Sequence, residues 1–340
     1  MDKGLLKELL QAVEENRLFS IKTEIKGKAG KTEEGLVTSL VPLEPVMDHQ
    51  GRKYASVRYQ EDDQGNGVLL EPVLPRERLI ICGGGHVALQ VAEFAAKCDF
   101  HVIVCDERPE FANEQRFPWA KQVLCAPFGE CIRELKLTPF DFVVIVTRGH
   151  ACDRECLRHV LAGSEPAYTG MIGSRSRVAK VLEQLREEGY DKDRIQRVCT
   201  PIGLPIGADI PAEIAISILA ELITYKRKPE VTRDRICNDS DLTLDVLEYI
   251  AEDDSPKAVV TILTSQGSTP RKAGSKMTVD AQGRIRGSVG GGLGEATAIR
   301  LAKEMVGSGT YRVCRFDMNG DVAAEEGMVC GGTLKILIES

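Results

Sequence analysis

The stretch IICGGGHVALQVAEF, residues 80–94, runs a short apolar segment into three consecutive glycines and then into apolar residues at helical spacing. Strand, tight turn and helix in that order make the opening unit of a nucleotide-binding sheet. Gly83 permits the turn, Gly85 lets a phosphate approach the backbone, and Ala88 lets helix and strand pack closely. A second apolar run, FHVIVCDERP, ends its strand at Asp106, about 20 residues on, where an acid can accept from a ribose hydroxyl. The pattern is also that of a scaffold whose glycines only shape the turn, and it says nothing about hydride transfer. His86 opens the helix, so its ring either faces the crevice or caps a loop.

Outward from this unit, apolar strands keep alternating with helices. FDFVVIVTRGH reads as strand then loop, DRECLRHVLAG as helix, AYTGMIG as strand and SRSRVAKVLEQLREEG as a basic helix. Continuous apolar strands between helices mark a parallel sheet covered on both faces. PIGLPIGADIPAEIAISILAELITYKR follows, with Asp209 as helix cap, Pro211 near the first turn and an apolar face through Ile214, Ile218 and Ile223. The fold class is α/β: a Rossmann-like domain over 76–230, a charged linker over 231–241, and a small glycine-rich α+β domain over 242–340. In the last domain the spacing predicts a hairpin in SKMTVDAQGRIRGSV, turning at Asp280 to Gly283, a helix in GEATAIRLAKEMVGSG and a terminal strand in GTLKILIES. Residues 1–75 echo it with a helix, the strand SIKTEIKG beside AVVTILTSQG, and GVLLEPV beside GTLKILIE. They read as a degenerate copy that lacks the glycine-rich segments.

Composition narrows the function. A formal net charge of -7 gives nucleic acid or an anionic membrane no broad basic face. No apolar run approaches bilayer length, and the amphipathic start MDKGLLKELLQAVEENRL is not a signal peptide, so a cytoplasmic location is expected. The eleven cysteines lie singly in apolar or strand-like surroundings such as IIC82, VIVC105 and VLC125, which reads as reduced core thiols. HACDREC, residues 150–156, is the nearest approach to a metal motif, but it lacks convergent further ligands, and no metal site or catalytic residue is assigned.

Other loops carry candidate binding residues. Thr147-Arg148-Gly149-His150 follows one strand and Gly173-Ser174-Arg175 follows the next. Loops after strands converge on the ligand crevice of an open sheet, and Ser174 and Arg175 start a helix, where free backbone donors and a guanidinium suit a phosphate or carboxylate. In PIGLPIG, Gly203 and Gly207 permit a compact loop that completes a pocket, while Glu213 is either a pocket carboxylate or a dipole-compatible first-turn residue. The small domain gathers glycines in GSTPRKAGSKM, GSVGGGLGEA and EEGMVCGG. These segments bring Arg271, Gly291, Gly292, Glu295 and Cys330 near backbone that passes close to something. Cys330 is a reactive thiolate in a donor-rich setting or a buried core thiol.

GGGHVA, VTRGH with Asp153, YTGMIGSRSRV, PIGLPIGADIPAEIAISILAELI, GSTPRKAGSKM, GSVGGGLGEA and GMVCGG together resemble the XdhC and CoxI family of accessory proteins for molybdenum hydroxylases such as xanthine dehydrogenase. The resemblance covers about residues 76–228 and 242–340. It implies a carrier that binds the molybdenum cofactor, a molybdopterin in mono- or dinucleotide form, presents it to a cysteine desulfurase-like sulfurase and delivers it to the apo-hydroxylase. It implies a cofactor site built from Gly83, Gly85, His86, Asp106, Arg148, His150, Ser174, Arg175, Gly203, Glu213, Arg271, Gly291, Gly292, Glu295 and Cys330.

Two departures accompany the resemblance. The family commonly places its glycine-rich domain first, whereas here it follows, an order that domain exchange in a homodimer would accommodate. The family's frequent SGGC becomes GGGLGE, as in members linked to selenium-dependent molybdenum hydroxylases, so a cysteine role would fall to Cys330. Two other functions compete. An NAD(P)-dependent oxidoreductase would draw its proton-transfer group from His86, His150 or Glu213, and a scaffold of the hydroxylase system would bind no cofactor.

Overall fold

The computed structural model describes residues 3–48, 53–227, 236–242, 244–267, 269–317 and 332–340. The chain forms two compact units, one of residues 1–75 with 238–340 and one of residues 76–237. The N-terminal segment contains α1 (Lys3–Glu14), β1 (Phe19–Ile25), β2 (Ala29–Lys31), α2 (Thr32–Gly35), β3 (Leu36–Pro42), β4 (Val46–Met47), β5 (Lys53–Ala55), β6 (Arg58–Glu61) and β7 (Gly67–Val73). Helix α1 buries Leu6, Leu9, Ala12 and Val13, the i, i+3, i+7 stripe that an amphipathic helix turns to its core.

The middle unit contains β8 (Arg78–Cys82), α3 (His86–Lys97), β9 (His101–Asp106), β10 (Gln122–Cys125), α4 (Phe128–Leu135), β11 (Phe142–Ile145), α5 (His150–Ala162), β12 (Tyr168–Met171), α6 (Arg175–Glu187), α7 (Lys192–Gln196) and α8 (Pro211–Arg227). Its strands form a parallel sheet in the order β10-β9-β8-β11-β12. The chain moves outward from β8 through β9 to β10, then returns to β11 on the other side of β8. The loops after β8 and β11 therefore diverge, which is the switch point where such sheets bind ligands.

The central strands β8, β9 and β11 are mostly apolar because both faces are covered. Leu79, Ile81, Val102, Val104, Phe142 and Val144 meet α3 and α8. Ile80, Cys82, Ile103, Cys105, Val143 and Ile145 meet α4, α5 and α6. The described cysteines are all free thiols. A neighbouring Cys131 thiol and burial push Cys105 well above the ordinary thiol range, and burial with the Cys82 thiol does the same for Cys156. These thiols stay protonated and inert.

Two local expectations are corrected here, and two elements are added to the sequence reading. Ile223 is 38% exposed, because five residues turn it roughly 140° away from Ile218 on a helix of 3.6 residues per turn. Leu222 takes the buried place instead. At the start of α8 the cap runs backwards: Glu213 Oε2 accepts the backbone N–H of Asp209 at 3.0 Å and of Ile210 at 3.4 Å. Strand β10 and helix α4 have no counterpart in the sequence reading, since a half-exposed strand of four residues and a helix of eight give too short a periodic signal.

The remaining elements are β13 (Cys237–Asn238), α9 (Leu244–Glu252), β14 (Lys257–Gly267), β15 (Lys276–Asp280), β16 (Ile285–Gly287), α10 (Gly292–Met305), β17 (Thr310–Asp317) and β18 (Gly332–Glu339). Of the linker expected over 231–241, residues 231–235 lie outside the described residues and 238–241 fall within the first unit. Three sheets build that unit: β3-β1-β7-β6, β16-β15-β14-β18-β17-β2 and the small β13-β5-β4. Both large sheets contain one pattern. A helix leads into a central strand, which pairs antiparallel with its hairpin partner on one side and with the segment's last strand on the other. Between the hairpin partner and the last strand lie β16, α10 and β17 in the second half, and β4, β5 and β6 in the first. The leading helices α1 and α9 share one apolar cluster with Phe19, Ile21 and Val73. Strand β2 crosses over to extend the larger sheet against β17.

A buried ion pair ties the halves of this unit together. Lys276 on β15 and Glu71 on β7 are 3% and 1% exposed. The ammonium lies 2.9 Å from Glu71 Oε1 and donates to Thr261 Oγ1 at 3.0 Å. Burial pushes the Glu71 carboxyl above its usual range, while Lys276 pulls it back. Removing one partner of such a pair strands a charge, at a cost of about 3–5 kcal/mol. K276M is therefore expected to lose about that much stability in equilibrium urea unfolding, and the double variant K276M/E71L to recover most of it. Because the folded carboxyl of K276M holds its proton more tightly than the unfolded one, near about 4.3, the deficit grows as pH rises above that value.

Candidate phosphate-binding crevice

The crevice is built at the carboxyl ends of β8, β9 and β11. Gly83 has φ +113°, donates its N–H to Cys105 O at 2.8 Å, and leaves only 2.6 Å between a hypothetical Cβ and Val146 O. Gly84 donates to Asp106 Oδ2 at 2.8 Å, and a Cβ there would lie 2.1 Å from the carbonyl oxygen of Phe111. Gly85 is the N-cap of α3, has ordinary extended geometry, and faces open space where a Cβ would meet nothing within 4 Å. His86 follows it on the exposed first turn of α3.

Asp106 is 1% exposed. Besides Gly84 it accepts the backbone N–H of Arg108 at 3.1 Å and a bidentate guanidinium, Nε and Nη2 each at 2.9 Å. Burial opposes its ionisation, but the Arg108 guanidinium and the Gly84 and Arg108 amides outweigh it and hold the carboxyl below its usual range. A ribose hydroxyl would reach Asp106 only by displacing Arg108. The Arg108 guanidinium stacks 3.8 Å from the centre of the Phe111 ring, and Arg116 sits 5.3 Å from the same centre. Arg116 donates Nε–H to Gly84 O at 2.9 Å, and its buried Nη2 bonds nothing among the described residues.

Across the switch point, Thr147 Oγ1 bonds the buried Asp153 and accepts the Gly149 N–H at 3.3 Å, fixing the entry to α5. Arg148 reaches from the β11 loop to Glu107 in the β9 loop, with Nη2 to Oε1 at 2.6 Å. Since β8 lies between those strands, this ion pair passes over the end that carries the glycine turn. His150 is the exposed first residue of α5.

At the next strand end, Ser174 is the residue before α6, its carbonyl taking the Val178 N–H at 3.0 Å. Arg175 begins that helix, and its side chain lies outside what is described. Gly203 has φ +96° and gives its N–H to Glu221 Oε2 at 2.7 Å, which also accepts from Tyr168 at 2.6 Å. A Cβ on Gly203 would lie 2.2 Å from Ser217 Oγ, so this glycine lets the PIGLPIG loop clamp onto α8. Glu213 is engaged by the Asp209 and Ile210 amides just before α8, which lower its pKa.

The other candidates belong to the first unit. Arg271 Nη1 lies 3.8 Å from Asp241 Oδ2, and the neighbouring Lys272 N–H bonds the same oxygen at 2.9 Å. Glu295 reaches back from the first turn of α10 to the Val289 and Gly290 amides at 2.8 and 3.0 Å and to Ser288 Oγ at 2.6 Å. Gly291, at φ +134°, is the open N-cap of α10, and Gly292 has φ +62°. A Cβ on Gly290 would lie 3.4 Å from Pro270, so the Arg271 and glycine loops are neighbours. Cys330 lies outside the described residues.

The sequence reading passed over Gly84, Arg108, Phe111 and Arg116, although Arg108 stands two residues beyond Asp106, within reach of a carboxylate at a strand end. Among the described residues no group of three His, Cys, Asp or Glu side chains is placed to hold a metal ion, and no helix is long and apolar enough to cross a membrane.

A parallel sheet with a glycine turn, an open N-cap and arginines at its switch point defines a Rossmann-type protein with a candidate anion-binding crevice. Residues 79–222 match the XdhC Rossmann domain, and residues 250–317 match the XdhC and CoxI family. The chain belongs to the XdhC and CoxI family. It is 39% identical over 153 residues to the uncharacterized protein YqeB of Escherichia coli (strain K12), covering 44% of this chain and 28% of that protein. It is 30% identical over 190 residues to a probable xanthine dehydrogenase subunit of Bacillus subtilis (strain 168), covering 56% of this chain and 55% of that one. The matches thus span about a quarter and about half of these relatives. The crystal structure of a xanthine dehydrogenase from Bacillus halodurans superposes with a TM-score of 0.49 and 26% identity, over 64% of this chain and 62% of that one.

The glycines predict opposite outcomes for neighbouring substitutions. Gly84→Ala forces a Cβ into a backbone carbonyl and is expected to cost about 1–3 kcal/mol or more in thermal unfolding. Gly85→Ser, which meets only open space and supplies a favourable N-cap, is expected to stay within about 0.5 kcal/mol. For Asp106, the depressed carboxyl contributes stability that is complete above about pH 4 and lost as pH falls through its folded value. Acid titration followed by circular dichroism should therefore show D106N less stable than the parent at neutral pH and less sensitive to further acidification.

Proposed function

We propose that the protein is an accessory carrier of the molybdenum cofactor for a xanthine dehydrogenase-type molybdenum hydroxylase. In this reading it binds molybdopterin, presents it to a cysteine desulfurase-like sulfurase and passes it to the apo-hydroxylase. The observation that carries it is the crevice around Gly85. Its unobstructed face, the free amides of the first turn of α3 and the guanidiniums of Arg116 and Arg148 form a donor-rich site in a chain of this family. Those donors fit the phosphate end of molybdopterin. Gly85, the α3 amides, Arg116 and Arg148 would hold that phosphate, with His86 and His150 at its rim. When bound, the cofactor supplies the molybdenum centre that the recipient hydroxylase uses.

The same geometry speaks against an NAD(P)-dependent oxidoreductase. Asp106, the acceptor a nicotinamide dinucleotide would need for its ribose, is already saturated by Arg108 and Gly84. Glu213, one of three proton-transfer candidates, is occupied with the start of α8.

Anaerobic purification followed by mass spectrometry and molybdenum analysis tests the proposal. The parent is expected to retain molybdopterin. Gly85→Asp keeps a good N-cap but sets a carboxylate against the phosphate, and is expected to retain at least about tenfold less, a loss of about 1.4 kcal/mol or more. Saturable micromolar binding of NAD(P)H without any retained molybdopterin would overturn the carrier reading.

A further inference from the structure

We propose that the crevice recognises a ligand ending in a phosphate monoester, and that Arg116 and Arg108, stacked on Phe111, are the residues that read that end. The inference rests on the crevice being the binding site, and it goes on to say which chemical terminus the site accepts.

The argument starts from hydrogen-bond supply. A ribose terminus presents two hydroxyls, which need acceptors. The fingerprint acceptor, Asp106, has both oxygens filled by the Gly84 amide, the Arg108 amide and the Arg108 fork. What the β9 loop offers instead is donors. Arg108 spends Nε and one Nη2 proton on Asp106, and its remaining N–H groups lie beside the Phe111 ring. Arg116 spends Nε on Gly84 O and keeps a buried Nη2 without a partner among the described residues. A guanidinium carries only donors, so an acceptor-rich terminal group fits this pair and a diol does not.

Charge points the same way. The carboxylates around this loop are Asp106, Glu107, Glu110 and the exposed Glu114. Asp106 is bonded to Arg108, Glu107 pairs with Arg148, and Glu110 acts on Arg108 through space. No described carboxylate lies within ion-pair distance of Arg116. A part-buried cation with an unmet donor is costly unless an anion completes it. Gly84, whose carbonyl positions Arg116, adjoins the open Gly85, so an oxyanion bound there meets the guanidinium and the α3 amides together. For molybdopterin this selects the form that ends in phosphate over the form extended by a nucleotide.

Calorimetry on the full chain with phenyl phosphate and ADP-ribose as probes decides the matter. Phenyl phosphate is expected to bind saturably and ADP-ribose at least about tenfold more weakly. R116Q, which keeps a donor for Gly84 O but loses the charge, is expected to weaken phenyl phosphate by about 10- to 100-fold, the range for charge-assisted bonds. Should R116Q fail to fold, hydrogen exchange on the parent replaces it: phenyl phosphate should slow amide exchange in residues 83–90 and 107–117. ADP-ribose binding as tightly as phenyl phosphate, R116Q binding like the parent, or exchange in those segments unchanged at saturation would each overturn the proposal. Molybdopterin content separates the two readings. A chain that carries molybdopterin but favours ADP-ribose loses only this inference, and one that favours phenyl phosphate but carries no molybdopterin loses the carrier role.

Discussion

The crevice depends on one buried carboxylate. An ionised Asp106 under the end of the sheet would cost several kcal/mol if left bare. It is stable there because two backbone amides and a bidentate guanidinium surround it. Each donor then fixes something else. The Gly84 amide holds the turn after β8, which leaves no room for a side chain at residue 84. The Arg108 fork holds the chain after β9 and presents its flat face to Phe111, which also carries Arg116. A single counter-charge thus couples the glycine turn to the cationic loop beside it, and the crevice is pre-formed to the extent that Asp106 stays ionised.

The first unit uses a buried charge differently. Lys276 and Glu71 lie on strands from opposite ends of the chain, and their pairing gives no net attraction that apolar packing could not match. What it supplies is a link between two sheets, since the Lys276 ammonium on β15 reaches Glu71 on β7 of the other sheet and Thr261 Oγ1 of its own. The unit is built from two segments with the same strand pattern. The segments have diverged in what lies between their strands, since the glycine loop and α10 occur only in the second.

The strand, turn and helix of the middle unit were legible in IICGGGHVALQVAEF, because buried parallel strands and a glycine turn leave a local signature. So was the inert character of the buried Cys105 and Cys156, which follows from their apolar neighbours, whereas Cys125, read the same way, is exposed. The fate of the polar residues was not legible. Whether Asp106 accepts from a ribose or from Arg108 depends on where residues 108, 111 and 116 fold back, and no local spacing reports that. Glu213 shows the opposite case: its bland reading as a first-turn carboxylate agrees with the bonds it makes, because those partners lie three and four residues away. Ile223 went astray through a five-residue step that the eye accepts and helical geometry does not.

Glycine density is a weaker sign of a binding site than the reason each glycine is there. Gly83, Gly203 and Gly291 have positive φ, which explains them without a ligand. Gly84 has none, but Phe111 fills the space its Cβ would take. Gly85 alone among those in the crevice turn has neither a special backbone conformation nor a crowding neighbour. Nothing inside the protein requires glycine at that position, and serine or aspartate would cap the helix better. A residue whose missing side chain serves no internal purpose leaves room for something outside the chain, and that makes Gly85, with the unmatched Arg116 close by, the point from which the ligand is best sought.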